Sequence, residues 1–351
     1  MGVGADPTPG PRENIHKRPA YDGDVPKSWN PLALIAHRWQ PSAKVVEWTA
    51  LATVVMAVVI VVTGGAVRLT ESGLGCPTWP RCTEESLTPT GEMGLHGAIE
   101  FGNRMLTYVL CACVGLAIIA ARSRSPWRRS LSRLGWVQFW VIASNGVLGG
   151  ITVLTGLNPY VVAAHFLVTS VLLTVAVVMW KRSTEGDGPV RWLVDPPVRQ
   201  LAWGLAAVIG ALLVVGTVVT GAGPHAGDAN EVHRIALDWE RVTQLHVDLA
   251  FLVLGLTVAL LFTLRAVRAP ADCRARVRDL LVVLLAQGVV GFVQYFTHLP
   301  EVLVGSHMLG SALVWIAVLR VLLSLRERPV TAVGPAPVAP DREQEKVATA
   351  V

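Results

Sequence analysis

Charged residues are scarce in this sequence, at 16%, whereas 52% of the residues are hydrophobic. The apolar residues form long runs instead of alternating with charged ones. This composition argues against a water-soluble globular protein and is typical of a membrane protein. Helices are the expected elements, because lipid leaves backbone polar groups unsatisfied and a helix satisfies its own.

Eight apolar stretches are long enough for a crossing, which needs roughly 20 residues. They cover residues 45–69, 95–121, 134–157, 160–180, 200–221, 241–264, 280–298 and 302–325. The predicted fold class is therefore an all-α integral membrane protein with eight transmembrane helices.

Basic residues are nearly absent from one set of loops, which holds mainly Arg81 and Arg234 among acidic residues. The loops after the second, fourth and sixth helices are rich in them: Arg122, Arg124, Arg128, Arg129 and Arg133, then Lys181, Arg182, Arg191 and Arg199, then Arg265, Arg268, Arg274, Arg276 and Arg278. The positive-inside rule predicts that both termini are cytoplasmic. This topology accounts for the net charge of +5 and gives no reason to expect nucleic-acid binding.

Residues 1–44 lack the apolar core of a signal peptide, and their acidic residues argue against a transit peptide. We expect this segment to be a disordered cytoplasmic tail, and the Pro- and Ala-rich segment 326–351 to be another. The predicted location is a bacterial plasma membrane.

The sequence repeats itself with an offset of 142 or 143 residues. Residues that match across the halves are Asn145 with Gln287, Gly149 with Gly291, His165 with His307 and, allowing one inserted residue, Pro159 with Pro300. This predicts two tandem four-helix bundles, residues 45–180 and 200–325, joined by a cytoplasmic linker, 181–199. An even number of crossings in each bundle gives both the same orientation. Glycines four residues apart, Gly146 and Gly150, would permit close helix contact.

Three histidines are predicted at similar depths inside the helices: His165, His246 and His307. Polar side chains in membrane helices are costly and tend to mark function. Two histidines on facing helices, His246 and His307, form the arrangement that axial ligation of a haem iron requires. The alternative is that each histidine is only an interhelical hydrogen-bond partner.

The first half differs, because Asn103 stands where the second half has His246. Asparagine is a poor iron ligand, so His165 would face an amide or an open position. Glu100 lies one turn before Asn103 and is predicted to be a reactive carboxylate. The alternatives are that Glu100 simply pairs with Arg104, and that His96 ligates in place of Asn103.

Two of the five cysteines, Cys76 and Cys82, lie in the first outer loop, where the compartment permits oxidation. We expect them to form a disulfide, the alternative being two unlinked thiols.

Several motifs together resemble the haem A synthases of the Cox15 and CtaA type. They are GGAVRLTESGLGCPTWPRC at 64–82, IEFGNR at 99–104, LGGITVLTGLNPYVVAAH at 148–165, TGAGPHAGD at 220–228 and QLH at 244–246. The resemblance extends over residues 45–325.

The resemblance implies oxidation of a methyl group of haem O to the formyl group of haem A, with haem b as a bound cofactor. His165, His246 and His307 match three of the family's four haem-iron ligands, and Asn103 stands in place of the fourth. Glu100 matches the family's acidic residue, and Cys76 and Cys82 match its outer-loop pair. The third outer loop, 222–240, lacks cysteine, which excludes a second disulfide.

The implied partners are membrane lipid, a haem O synthase and the factors that assemble cytochrome oxidase. A di-haem b electron carrier is the main alternative function, and a transporter built on a parallel repeat is a third.

Overall fold

The computed structural model describes residues 31–225, 227–228 and 233–329. Within these ranges eight helices are long and apolar enough to cross a membrane, as predicted. A short helix, α1 (Pro31–Arg38), precedes them, and they are α2 (Ala43–Leu69), α3 (Gly94–Ser123), α4 (Arg129–Leu154), α5 (Pro159–Thr184), α6 (Pro196–Ala222), α7 (Trp239–Ala266), α8 (Ala271–Phe296) and α9 (Glu301–Ser324). The chain is a multi-pass membrane protein.

The largest difference from the predicted helix boundaries is at the start of α8. The helix begins at Ala271, whereas the apolar run begins at Leu280, so the helix includes Arg274, Arg276 and Arg278. Arginine is a good helix former, and its long stem can carry the charge along the helix surface into water. A polar segment can therefore continue a membrane helix beyond the apolar region.

The helices pack as two rings of four. In the first ring α2 contacts α3, α3 contacts α4, α4 contacts α5, and α5 returns to α2. The helices α6 to α9 follow the same order, with α9 returning to α6. Separate apolar clusters occupy the rings, one around Leu110 and Leu172 and another around Leu205 and Leu260. Each ring thus has an interior of its own.

The turns before α5 and α9 have the same backbone geometry. Gly156 and Leu157 both have a φ of 59°, and His298 and Leu299 have φ values of 63° and 60°. Two successive left-handed residues are uncommon, and only one of these four is a glycine. The same strained turn therefore recurs 142 residues later.

The two helices that follow these turns also start 142 residues apart. Helix α5 starts at Pro159 and α9 at Glu301, and Pro300 caps α9 instead of being its first residue. Pairing Pro159 with Pro300 predicted one inserted residue between the two halves. That prediction is wrong, because the helix starts match at the same offset as the histidines.

Hydrogen bonds join the two rings both between helices and between the outer loops. The indole N–H of Trp315 on α9 lies 3.1 Å from Ser170 O and 2.9 Å from Thr174 Oγ1 on α5. Between the outer loops, the Gly73 N–H donates to Gly227 O at 2.8 Å. The rings are held together by hydrogen bonds as well as by apolar contact.

The predicted disorder of both tails is wrong in part. Residues 31–38 form α1, which packs against α3, and the first 30 residues lie outside the described part. Arg326–Glu327 forms strand β2, which pairs antiparallel with strand β1 (Arg191–Trp192) in the linker. Backbone pairing thus orders the beginning of the second tail, and residues 330–351 lie outside the described part.

Candidate functional site

Helix starts fix the depth of the three histidines. The side chain of Asn158 caps α5, and that of Asp238 caps α7 by accepting a backbone N–H at 3.0 Å. His165 and His307 are each six residues beyond the first residue of their helix, and His246 is seven beyond. At 1.5 Å per residue all three lie about 10 Å inside the helix starts.

Each of the three histidine rings packs against a glycine on a neighbouring helix. A Cβ atom added at these glycines would lie 3.2 or 3.3 Å from the ring's Cε1 atom: Gly149 against His165, Gly216 against His246 and Gly291 against His307. Contacts this short force a neighbour to move. The glycines therefore provide the space in which the rings are held.

The Nδ1 atoms of His246 and His307 are enclosed, and no residue in the described part of the chain hydrogen-bonds to them. Buried polar atoms without partners are uncommon and call for an explanation. With Nδ1 packed beside a glycine, Nε2 is the nitrogen that each ring presents to a ligand.

The rings of His246 and His307 face each other across the second ring of helices. Their centres are 6.3 Å apart and their planes are inclined by 58°. Helices α7 and α9 are diagonal in the packing order, so the rings meet in its interior. A single metal ion with a bond of about 2 Å to each imidazole would span this gap.

Asn103 takes the corresponding place on α3, diagonal to His165 on α5. Its Oδ1 lies 2.8 Å from the Thr63 hydroxyl oxygen on α2. The helix diagonal to that of His165 therefore carries an amide that is already tethered to another helix. The first ring of helices offers one imidazole where the second offers two.

Glu100 is buried, with 5% exposure, and both of its carboxylate oxygens are engaged. Oε2 accepts the Cys76 N–H at 2.6 Å, and Oε1 accepts from the Arg104 guanidinium. The ion pair with Arg104 one turn on is present, and the reactive role predicted for Glu100 stays a prediction. Glu100 thus carries a fixed charge beneath the outer loop.

Arg104 extends this network over the outer loop. Its guanidinium also donates to the backbone oxygens of Cys76, Thr78 and Arg81 at 3.0 to 3.2 Å. One ion pair on α3 therefore fixes the path of the loop above it.

Within this loop the sulfur atoms of Cys76 and Cys82 lie at bonding distance, 1.99 Å. Trp79, between them, occupies the space beside Gly150, where a Cβ would lie 2.5 Å from the indole. A Cβ at Gly146 would meet no atom within 4 Å, so the expected close helix contact there is wrong. At Gly150 the glycine admits the outer loop instead of a helix.

His96 lies in the first turn of α3 and is exposed. Its Nδ1 is 3.0 Å from the hydroxyl of Ser72, a fully buried residue of the outer loop. This contact gives His96 a structural partner at the surface, two turns above Asn103.

Residues 47–319 match the COX15-CtaA family model, described as a cytochrome oxidase assembly protein. The chain belongs to this family. A Heme A synthase of Geobacillus kaustophilus is 30% identical over 118 residues, which is 33% of this chain and 36% of that protein. Another, of Symbiobacterium thermophilum, is 26% identical over 186 residues, 50% of this chain and 59% of that protein. These alignments span less than two thirds of either relative.

Two parts of this COX15-CtaA site were missed by sequence reasoning. Thr63 was missed because it acts from another helix, 40 residues from Asn103. The contacts of Arg104 with the loop depend on backbone oxygens, which leave no signal in residue identity.

Proposed function

We propose that the protein is a haem A synthase, which oxidises a methyl group of haem O to the formyl group of haem A. The observation that carries this proposal is the asymmetry between the two rings of helices: facing histidines on the diagonal helices of one, and a histidine and a tethered amide on the diagonal helices of the other. A resident cofactor needs permanent ligation, whereas a substrate has to enter and leave. The names of the curated relatives support the same activity.

We further propose that residues 45–180 and 200–325 are tandem copies of one bundle with both termini in the cytoplasm of a bacterium. The identical packing order, the shared left-handed turns and the equal depth of His165 and His307 support the duplication. The arginine-rich loops support the orientation.

His246 and His307 are the residues that would hold a haem b in the second bundle. The 6.3 Å separation of their ring centres would leave room for one iron between the two imidazoles, and their enclosed Nδ1 atoms leave Nε2 as the nitrogen available to it. In the described ranges no group of three or more His, Cys, Asp or Glu side chains is placed to hold a bare metal ion. A porphyrin supplies the remaining ligands itself. Bound there, haem b would supply electron transfer.

In the first bundle, His165 would hold haem O from one side while Asn103 lies on the other. Glu100 has both oxygens engaged, which favours a fixed charge that stabilises developing positive charge over a free general base. Two successive oxygen insertions, supplied by an external oxidant, would convert the methyl group to an alcohol and then to a geminal diol, which loses water to give the formyl group. The outer loop above Glu100 would cover these intermediates.

The partners expected in the membrane are lipid, a haem O synthase that delivers the substrate and the oxidase assembly factors that receive the product. The competing function, a di-haem b electron carrier, needs two ligands in each bundle. Asn103 and its bond to Thr63 disfavour this carrier.

Extraction of pigments after coexpression with a source of haem O tests the proposal. We expect haem A together with haem b. Haem O that stays unconverted beside intact haem b would contradict the enzyme and favour the carrier. Glu100→Gln is the matched variant, since it keeps the side-chain shape and removes the charge.

A further inference from the structure

Thr63 and Gly216 are the first-helix residues that contact Asn103 and His246 in their respective bundles. Thr63 is six residues before the end of α2 at Leu69, and Gly216 is six before the end of α6 at Ala222. Each lies on the first helix of its bundle and contacts the residue at the same site on the second helix. Asn103 is the residue beside Thr63, and His246 is the residue beside Gly216.

The two pairs are matched in size. A Cβ atom at Gly216 would lie 3.3 Å from Cε1 and 3.6 Å from Nδ1 of His246, so the imidazole fills the space next to the glycine backbone. Threonine adds a branched side chain in the same place, and it leaves space only for a shorter neighbour. Asparagine is shorter than histidine and suits that space.

The Thr63 hydroxyl lies between two acceptors, Val59 O in its own helix at 2.9 Å and the Asn103 amide oxygen at 2.8 Å. Its single proton is shared between them, and the donation to Asn103 ties the amide to α2. A β-branched side chain has few rotamers in a helix, so this geometry is stiff. The amide of Asn103 is therefore held on α2 and is restrained from moving toward His165.

We infer that Thr63 is a positioning residue which, together with Asn103, limits the first bundle to a single histidine ligand. Gly216 and His246 allow the second bundle two histidine ligands. This inference rests on the proposed function and adds its physical basis: the exchangeable haem is bound through one protein ligand and the resident haem through two.

The test counts low-spin, bis-histidine centres per chain by EPR and optical spectra of purified, haem-loaded protein. The variants are Asn103→His, Thr63→Gly and the double variant. We expect one such centre in the wild type, one in Asn103→His, where Thr63 blocks the ring, and two in the double variant. The centre at His246 and His307 reports whether each variant is folded.

A second centre in Asn103→His as complete as in the double variant would overturn the inference, and so would a folded double variant with only one. A wild type without any low-spin centre would instead overturn the proposed haem b site. The two failures are thus distinguishable.

The reciprocal change, Gly216→Thr, provides a second measurement if the double variant does not fold. We expect it to displace His246 and lower retention of the low-spin haem at least about tenfold. Gly288→Thr, on α8, is the control, because a Cβ there would meet no atom within 4 Å. Equal haem retention in Gly216→Thr and Gly288→Thr would overturn the inference.

Discussion

The two bundles have the same helix order and the same turns, yet they offer different ligands. His165 and His307 both pack on a glycine of the preceding helix, Gly149 and Gly291, so one side of the site is common to both. At the site the bundles diverge on the other side, at Asn103 and His246. Two bundles with the same frame can thus differ in their binding properties through changes at two neighbouring positions.

The outer loops of the two bundles also differ, in the contacts that hold them. The first loop is fixed by the cysteine pair and by the Glu100–Arg104 ion pair beneath it. The third loop, in its described part, is held by Arg234, which donates to the backbone oxygens of Gly223 and Pro224. The outer loop with more fixing contacts therefore lies over the first bundle, which has one histidine at the site where the second has two.

The largest expected effect comes from removing a ligand in one bundle at a time. His307→Ala leaves a single imidazole in the second bundle, so retention of low-spin haem should fall at least about tenfold. His165→Ala should keep that haem and lose haem O. Optical and EPR spectra with pigment extraction measure both. A low-spin signal unchanged in His307→Ala and His246→Ala would end the assignment of haem b to the second bundle.

Glu100 tests the chemical difference between the bundles. Glu100 is three residues before Asn103, and Thr243 is three before His246. Glu100→Gln should lower formation of haem A by about 100-fold, the scale of losing one fixed electrostatic partner. The low-spin haem should remain while haem O or its alcohol accumulates.

Thr243→Val is the control in the second bundle and should leave the ratio of haem A to haem O unchanged. Wild-type conversion in Glu100→Gln would show that the carboxylate only supports the outer loop.

The cysteine pair gives a smaller effect, confined to the first bundle. In the chain-entropy model, a cross-link that closes a loop of seven residues stabilises the folded state by on the order of 2 kcal/mol. Replacing Cys76 and Cys82 with serine should reduce conversion of haem O and leave the haem at His246 and His307 in place. Mass spectrometry of alkylated, unreduced wild-type protein should find both cysteines unmodified, and alkylation of both would contradict the disulfide.

Hydropathy predicted the eight helices because apolar length is a local property of the chain. It failed at the start of α8, where Arg274, Arg276 and Arg278 extend a helix that the composition marks as a loop. The repeat predicted the common depth of His165 and His307 for the same local reason.

The contacts around the site were harder to predict because they join distant segments. Thr63 and Gly216 are 153 residues apart, not 142 or 143, so an alignment at one fixed offset does not pair them. The offset differs because the outer loop after α2 and the outer loop after α6 have different lengths. Likewise, nothing in residue identity indicates that the Cys76 N–H donates to Glu100.

The smallest predicted effect distinguishes the bundles at the opposite end from the histidines. In the first bundle Asp187, in the linker, accepts from Arg128 at 3.2 Å and from Ser130 and Arg182 at 2.8 Å. The hydrogen bonds from Arg128 lower the pKa of Asp187 below its ordinary value, and Ser130 and the nearby arginine charges act in the same direction. In the second bundle Asp272 forms an ion pair within α8, with Arg276 one turn on.

Because the folded pKa of Asp187 is depressed, its contribution to stability is present above the unfolded pKa of about 3.9 and is lost as the pH falls through the folded pKa. The carboxylate is 44% exposed, so solvent screening keeps the effect small and salt should weaken it. The protection factors against hydrogen exchange in residues 185–195, taken relative to the intrinsic rate at each pH, should therefore fall between about pH 5 and pH 3. Asp187→Asn should show the lower protection already at neutral pH and lose this pH dependence, whereas Asp272→Asn should leave the segment unchanged. Equal acid sensitivity in the wild type and Asp187→Asn would show that another group governs the linker.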